Sequence, residues 1–183
     1  MRSLYTFFFR LLGWKVEGQL PKNQKKYILI VAPHTSNWDF LVGLGARAVL
    51  HFDPKYAGKK ELFVWPFGWL FRRLGGFPVV RNESSNFVQS MADVFREKEN
   101  FILTITPEGT RSYSANWKTG FYYIAKEANV PILPVAFDYP TKTVVLGELI
   151  YATKELDMIL KDLHTWHQQY QGKNPADGIR PEL

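Results

Sequence analysis

A histidine and an aspartate five positions apart are the first residues whose types and spacing could do chemistry. His34 follows an apolar run at residues 27–32, and Asp39 falls in the first turn of a helix predicted to begin at Trp38. A carboxylate that binds one ring nitrogen fixes the histidine tautomer and leaves the other nitrogen free to take a proton from a bound hydroxyl. The pair is therefore a candidate general base with its orienting carboxylate. A purely structural pairing of a histidine with a helix carboxylate is the plain alternative.

A second polar loop, residues 107–112, follows another apolar run at residues 101–106. Both loops come at the carboxyl end of a predicted buried strand, which is the edge where open α/β sheets bind ligands. Gly109 allows close approach of the backbone, and Arg111 offers a planar fork for a phosphate. Glu108 can hold that arginine or a substrate hydroxyl. An ordinary solvated turn is the alternative, although a turn does not require this order of residues.

The elements that must position these loops alternate between strands and helices. Continuous apolar runs are typical of strands buried on both faces of a sheet, and three occur, at residues 27–32, 101–106 and 132–137. Helical periodicity predicts helices at residues 38–50, 87–98, 119–128 and 154 to about 170, with shorter strands at 55–58, 77–80 and 143–150. The order predicts an α/β fold with a mixed, largely parallel sheet covered by helices. We expect a single domain, 1–183, with a loose tail at 172–183.

Composition narrows the classes of function. The chain has 183 residues, of which 46% are hydrophobic, so it can bury a continuous core. It has no cysteine, which excludes thiol nucleophiles and thiolate metal sites, and a net charge of +6, which favours an anionic partner. Nucleic acid is not the expected partner, because zinc-finger and helix-turn-helix signatures are absent and the basic residues are scattered. A serine hydrolase is disfavoured because the chain lacks the Gly-x-Ser-x-Gly elbow.

Two segments that combine aromatic and basic residues predict contact with a membrane surface. Residues 1–16 form a predicted interfacial amphipathic helix, too short to span a bilayer, with one apolar face composed of Leu4, Phe7, Phe8, Leu11 and Leu12. In the second segment, residues 63–74, four of the aromatic rings are expected beside Arg72 and Arg73, namely those of Trp65, Phe67, Trp69 and Phe71. The alternatives are that the first segment is a helix docked on its own domain and that the second is an ordinary core helix. Because no signal cleavage site follows the first segment, we expect a peripheral protein on the cytoplasmic side of a membrane.

Taken together, the motifs resemble those of the glycerolipid acyltransferases of the lysophosphatidic acid acyltransferase type. The first block of that family, His-x4-Asp, is similar to residues 34–39, and its third, Glu-Gly-Thr-Arg, to residues 108–111. The second block resembles residues 60–81, and the fourth, an apolar stretch with two prolines, resembles residues 130–135. Residues 117–120 are similar to a short Phe-Lys-x-Gly motif found between the last two blocks. Four blocks in the family's order make the resemblance specific.

The resemblance implies transfer of a fatty acyl group from acyl-CoA or acyl-carrier protein to the hydroxyl of a lyso-glycerophospholipid, with lysophosphatidic acid as the first candidate. It implies no metal, no cofactor and no covalent acyl-enzyme. His34 would be the base and Asp39 its partner. The implied substrate-binding residues are Lys60, Arg81, Glu108, Gly109, Thr110, Arg111 and Lys118. Because a thioester is already activated, the protein need only deprotonate the acceptor, place it and stabilise the oxyanion.

One departure from the family pattern concerns the acceptor. Val80 stands before Arg81, where many relatives carry an aspartate. A lyso-lipid with an amino-acid headgroup is therefore an alternative acceptor, since relatives that acylate such lipids share the first and third blocks. A relative that binds lipid without catalysis is a further alternative, and the presence of both His34 and Asp39 weighs against it.

Overall fold

The structure is a computed structural model that describes residues 2–79 and 84–180. At residues 57–60, 62, 78–79 and 84–86 it describes the backbone only. The described helices are α1 (Arg2–Leu11), α2 (Trp38–Leu50), α3 (Gly68–Arg73), α4 (Ser84–Glu97), α5 (Gly120–Ala128) and α6 (Leu156–His167), with short 3-10 turns at Lys60–Phe63 and Pro175–Asp177. None of these helices is long and apolar enough to cross a membrane.

The described strands form one seven-stranded sheet. They are β1 (Lys15–Glu17), β2 (Lys26–Val31), β3 (Lys55–Lys59), β4 (Gly76–Val79), β5 (Phe101–Ile105), β6 (Ile132–Asp138) and β7 (Thr143–Leu146). Their order across the sheet is β1-β7-β6-β2-β5-β3-β4, and every pairing is parallel except the antiparallel pair β6 and β7. The predicted mixed, largely parallel sheet covered by helices is confirmed.

Strand β2 lies at the centre of the sheet and is buried on both faces. Ile28 and Ile30 belong to the core on one face, which α4, α5 and α6 cover. Leu29 and Val31 belong to the core on the other face, which α1 and α2 cover. This alternation follows from the two-residue period of a strand, and the two covered faces explain the continuous apolar run.

Several element bounds differ from the sequence predictions. Helix α2 has the predicted bounds, whereas α6 is shorter at both ends and β7 ends at Leu146. Ile150, the last residue of the longer strand predicted there, makes only an isolated bridge with Ile132. The predicted helix at 1–16 ends at Leu11, because Gly13 takes a left-handed conformation with φ of +81°. Residues 15–17 instead form the edge strand β1, which pairs with β7.

The C-terminal tail is not loose where the structure describes it. Asn174 donates its backbone N–H to Thr35 Oγ1 at 3.1 Å and its side-chain amide to the Thr35 carbonyl at 2.8 Å. Gly172 lies so close to the same residue that a Cβ there would be 2.6 Å from Thr35 Oγ1. Apart from the 3-10 turn Pro175–Asp177, the described tail has no helix or strand, but irregular backbone can be fixed by hydrogen bonds to its neighbours. Gly172 and Asn174 are therefore packed against the loop that follows β2.

Candidate functional site

The two polar loops begin side by side because their strands are neighbours. Strands β2 and β5 pair in parallel, with Ile30 opposite Ile105 near their carboxyl ends. The backbone N–H of His34 donates to the Glu108 carboxylate, at 2.9 Å to Oε2 and 3.2 Å to Oε1. The predicted juxtaposition of the two loops is thus present as a direct hydrogen bond between them.

His34 and Asp39 are in contact. His34 Nδ1 lies 2.9 Å from Asp39 Oδ2, and the same oxygen accepts the backbone N–H groups of Thr35 and Ser36 at 3.0 Å each. Asp39 lies in the first turn of α2, where the helix dipole favours a negative charge, and is only 3% exposed. Three donors on one oxygen fix the position of this carboxylate beside the imidazole.

The orientation of the imidazole decides which nitrogen can act. Because Nδ1 faces a carboxylate, it carries the proton of the neutral ring, and Nε2 is left with the lone pair. The His34 side chain is one-fifth exposed and lines a groove at this edge of the sheet. His34 can therefore accept a proton from a molecule in the groove while Asp39 stabilises the imidazolium that forms.

Glu108 is buried and accepts a hydrogen bond from the loop that contains His34. The pKa of Glu108 is raised to about 7, mainly because the carboxyl is buried; the hydrogen bond from the His34 N–H lowers the pKa and the nearby charge of Asp39 raises it. The sequence suggested that this carboxylate could hold Arg111 or a substrate hydroxyl; in the described structure it binds the His34 backbone, and Arg111 is exposed. In the described structure, Glu108 therefore helps to fix the position of the loop that contains His34.

The remaining predicted substrate-binding residues divide into two groups. Gly109, Thr110, Arg111 and Lys118 line the same groove as His34. Gly109 has a φ of +68°, which favours glycine, and the Lys118 side chain passes 3.3 Å from the position of its missing Cβ. In the second group, Lys60 lies in a 3-10 turn and is described by its backbone only, and Arg81 lies outside the described residues.

The groove encloses about 1860 Å³ and extends from His34 along an apolar wall. This wall includes Phe40 and Leu44 of α2, Tyr56 of β3, and Phe71 and Leu74 in and after α3. Typical sites for small molecules occupy roughly 300–1,000 Å³, so the groove has room for a longer, lipid-like ligand. Sequence reasoning missed this wall, although the four-residue spacing of Phe40 and Leu44 places both on one side of α2.

The apolar face predicted for the N-terminal segment is largely exposed in the described structure. Leu4, Phe7, Phe8, Leu11 and Leu12 are each between 49% and 66% exposed, whereas Phe9 alone is buried, packed against Gly45 of α2. In the second aromatic segment, Phe63 is buried and Trp65 is 90% exposed. Phe67 and Trp69 are also largely exposed.

No group of three or more metal-ligating side chains occurs within residues 2–79 and 84–180. The groups predicted from the sequence that line the groove include the His34–Asp39 pair and the cations Arg111 and Lys118.

Comparison with known proteins points to one family. A family model described as "Acyltransferase" matches residues 13–138. The chain is 33% identical over 152 residues to the 1-acyl-sn-glycerol-3-phosphate acyltransferase of Streptococcus pneumoniae, covering 76% of this chain and 56% of that protein. It is 30% identical over 147 residues to the enzyme of the same name from Escherichia coli, covering 76% of this chain and 59% of that protein. The chain thus spans a little over half the length of these relatives.

A solved structure supports the fold. The crystal structure of the 1-acyl-sn-glycerophosphate (LPA) acyltransferase PlsC from Thermotoga maritima superposes with a TM-score of 0.65. The superposition covers 92% of this chain and 75% of that one, at 22% sequence identity. At this level of identity the match establishes a shared α/β architecture.

Proposed function

This chain belongs to the acyltransferase family, and on that premise we propose that it transfers a fatty acyl group from a thioester to the hydroxyl of a lyso-glycerophospholipid. The observation that carries the proposal is the contact between His34 and Asp39 at the head of a long apolar groove. The names of the relatives favour lysophosphatidic acid as the acceptor. Residues 1–183 would act as a single catalytic domain, with acyl-CoA or acyl-carrier protein as the donor.

In the proposed mechanism, His34 Nε2 takes the proton of the acceptor hydroxyl as its oxygen attacks the thioester carbonyl carbon. A carbon–oxygen bond forms, the carbon–sulfur bond breaks, and the imidazolium returns its proton to the departing thiolate. Asp39 stabilises the transient positive charge through Nδ1, at 2.9 Å. Because the thioester carbonyl is already reactive, the reaction needs neither a metal nor a covalent acyl-enzyme, only reacting atoms held about 3–3.5 Å apart.

Binding of the acceptor phosphate is assigned to the loop after β5. Arg111 and Lys118 are exposed cations that line the groove near His34, and the arginine fork can bind two phosphate oxygens at once. Gly109 and Thr110 would lie against the headgroup, with Glu108 placing the histidine loop beside it. From the resemblance, Arg81 remains a proposed phosphate ligand and Lys60 a proposed substrate-binding residue. The acyl chain would lie along the apolar wall formed by Phe40 and its neighbours.

A lyso-lipid with an amino-acid headgroup is the second candidate acceptor. The observation that favours it is Val80, which precedes Arg81 where many members of the family carry an aspartate. Both acceptors present a hydroxyl to the same base, so the two candidates differ in headgroup recognition rather than in mechanism.

We further propose that the protein binds a membrane surface peripherally, on the cytoplasmic side, where its lipid acceptor resides. Four apolar side chains of α1 and that of Leu12, which follows it, are exposed, and Arg2 and Arg10 on the same helix can meet anionic headgroups. Exposed Trp65 and Trp69 supply rings of the kind that settle at the headgroup level. Burial of these side chains in the interface would hold the groove close to its substrate.

The test is to identify the lipid product. Purified protein in mixed micelles is given acyl-CoA or acyl-carrier protein together with lysophosphatidic acid, a zwitterionic lysophospholipid or an amino-acid-headed lyso-lipid, and products are measured by mass spectrometry. We expect phosphatidic acid, with the other acceptors converted more slowly. Conversion of the amino-acid-headed lipid alone would select the second candidate. Free fatty acid as the sole product, or no product with any pair, would contradict the proposed function.

A further inference from the structure

The carboxylate of Asp39 has a partner that the sequence motifs do not include. The hydroxyl of Tyr139 donates to Asp39 Oδ1 at 2.6 Å, whereas His34, Thr35 and Ser36 all bind the other oxygen, Oδ2. We propose that Tyr139 is a positioning residue of the His34–Asp39 pair, which fixes the rotation of the carboxylate so that Oδ2 faces the imidazole.

The fold explains how a residue 100 positions away reaches the site. Strand β6 pairs with β2 in parallel on the side opposite β5, so its carboxyl end emerges at the same edge of the sheet. Tyr139 follows the last residue of β6 directly. The site is therefore built from three adjacent strands, with the base after β2, the anion-binding loop after β5 and the tyrosine after β6.

Tyr139 itself is fixed by two further contacts. Its ring packs edge-to-face on the buried Trp14, with ring centroids 5.0 Å apart, and its backbone N–H donates to the Gln171 carbonyl at 2.9 Å. Burial, together with the hydrogen bond to Asp39, raises the pKa of the Tyr139 hydroxyl well above its usual value. The hydroxyl therefore remains protonated and acts as a donor over the whole working range of pH.

The expected role follows from the burial of Asp39. A carboxylate that is 3% exposed cannot exchange a lost donor for bulk water, so removal of the hydroxyl leaves Oδ1 unpaired. The carboxyl group can then rotate about its Cβ–Cγ bond, which weakens its hold on His34 Nδ1. Tyr139 is not among the described residues that line the groove, so this loss acts on the base and not on substrate binding.

The inference rests on the proposed function for its kinetic test. Tyr139→Phe removes one hydroxyl and keeps the ring on Trp14. The matched control is Tyr122→Phe, which removes a buried hydroxyl that donates to the Lys154 carbonyl at 3.1 Å, away from Asp39. We expect Tyr139→Phe to lower kcat about 10-fold, with both KM values within twofold of the parent and a Tm similar to that of the control. A kcat within twofold of the parent, or a rise in KM, would overturn the inference.

A spectroscopic readout separates this inference from the proposed function. In protein labelled with ¹⁵N-histidine, the proton on His34 Nδ1 reports the hydrogen bond to Asp39, and its resonance is identified by its loss in His34→Gln. We expect this resonance to move or disappear in Tyr139→Phe and to stay in place in Tyr122→Phe. If the parent protein transfers no acyl group, the proposed function fails while this comparison still decides the role of Tyr139. An unchanged resonance in Tyr139→Phe would overturn the inference.

Discussion

Burial of Glu108 should make the stability of the protein depend on pH in a defined direction. The pKa of this carboxyl is raised by burial from 4.5 to about 7 in the native state. Between these two pH values the native carboxyl holds a proton that the unfolded chain has released, so the contribution of Glu108 to the free energy of unfolding falls as pH rises from about 4.5 to about 7 and is level above that. Since one pKa unit corresponds to about 1.4 kcal/mol, the total loss is about 3 kcal/mol.

Glu108→Gln isolates this effect. Glutamine does not ionise, and its carbonyl oxygen can still accept the N–H of His34. In urea unfolding followed by tryptophan fluorescence, the difference in unfolding free energy between the variant and the parent should shift in favour of the variant by about 3 kcal/mol between pH 4.5 and pH 8. Groups common to both proteins cancel in this difference. The control is Glu97→Gln at an exposed position, for which we expect a flat difference. A flat difference for Glu108→Gln would refute the reasoning.

Four further outcomes follow from the structure. Asp39→Asn should lower kcat about 100-fold or more because the imidazole loses its orienting charge, and a loss below 10-fold in acyl transfer assays would contradict this. Arg111→Lys should raise the KM of the acceptor about 10-fold and leave that of the donor unchanged, since a point charge cannot replace a bidentate fork; equal changes in both would place the phosphate elsewhere. Asn174→Ala loses its side-chain bond to Thr35 and should cost about 1 kcal/mol in thermal unfolding, and an unchanged Tm would show that the tail adds no stability. Leu11→Asp, in the exposed face of α1, should reduce flotation with anionic vesicles at low salt without changing Tm, and unchanged flotation would argue against that face.

Local spacing was enough to predict the contact between His34 and Asp39 but not all of the partners of this pair. His34 and Asp39 lie on one turn of chain, so their contact depends only on the strand end and the helix start. The neighbouring position of the loop after β5 followed from a general rule about parallel sheets. The hydrogen bond from the His34 backbone to Glu108 was not predicted, because a backbone N–H is common to nearly every residue and no sequence pattern marks it as a partner. The contact of Tyr139 with Asp39 could not be predicted, because no sequence pattern indicates which strand lies next to β2 on the side opposite β5.

At the two ends of the chain, contacts with distant residues were also not predictable from sequence patterns. Strand β1 has three residues, which are too few to show a period-two pattern in the sequence. It forms because it pairs with the free edge of β7. Pro175 and Gly178 suggested a loose tail, but Asn174 and Gly172 fit against Thr35 through contacts that composition does not encode. At the N-terminus, by contrast, the five side chains that the apolar periodicity placed on one face, Leu4 to Leu12, are all exposed in the structure.

The central claim is that His34 is the base that deprotonates the acceptor, and its replacement tests that claim most directly. His34→Gln keeps a polar side chain of similar length, but glutamine cannot take the proton. The matched control is His51→Asn, because His51 is exposed at the far end of α2 and asparagine tolerates its φ of 55°. Both variants are compared with the parent in acyl transfer from acyl-CoA to lysophosphatidic acid and in thermal unfolding. We predict a fall in kcat of at least about 100-fold for His34→Gln, with Tm retained, and parental turnover for His51→Asn. A folded His34→Gln protein that turns over within 10-fold of the parent would contradict the account.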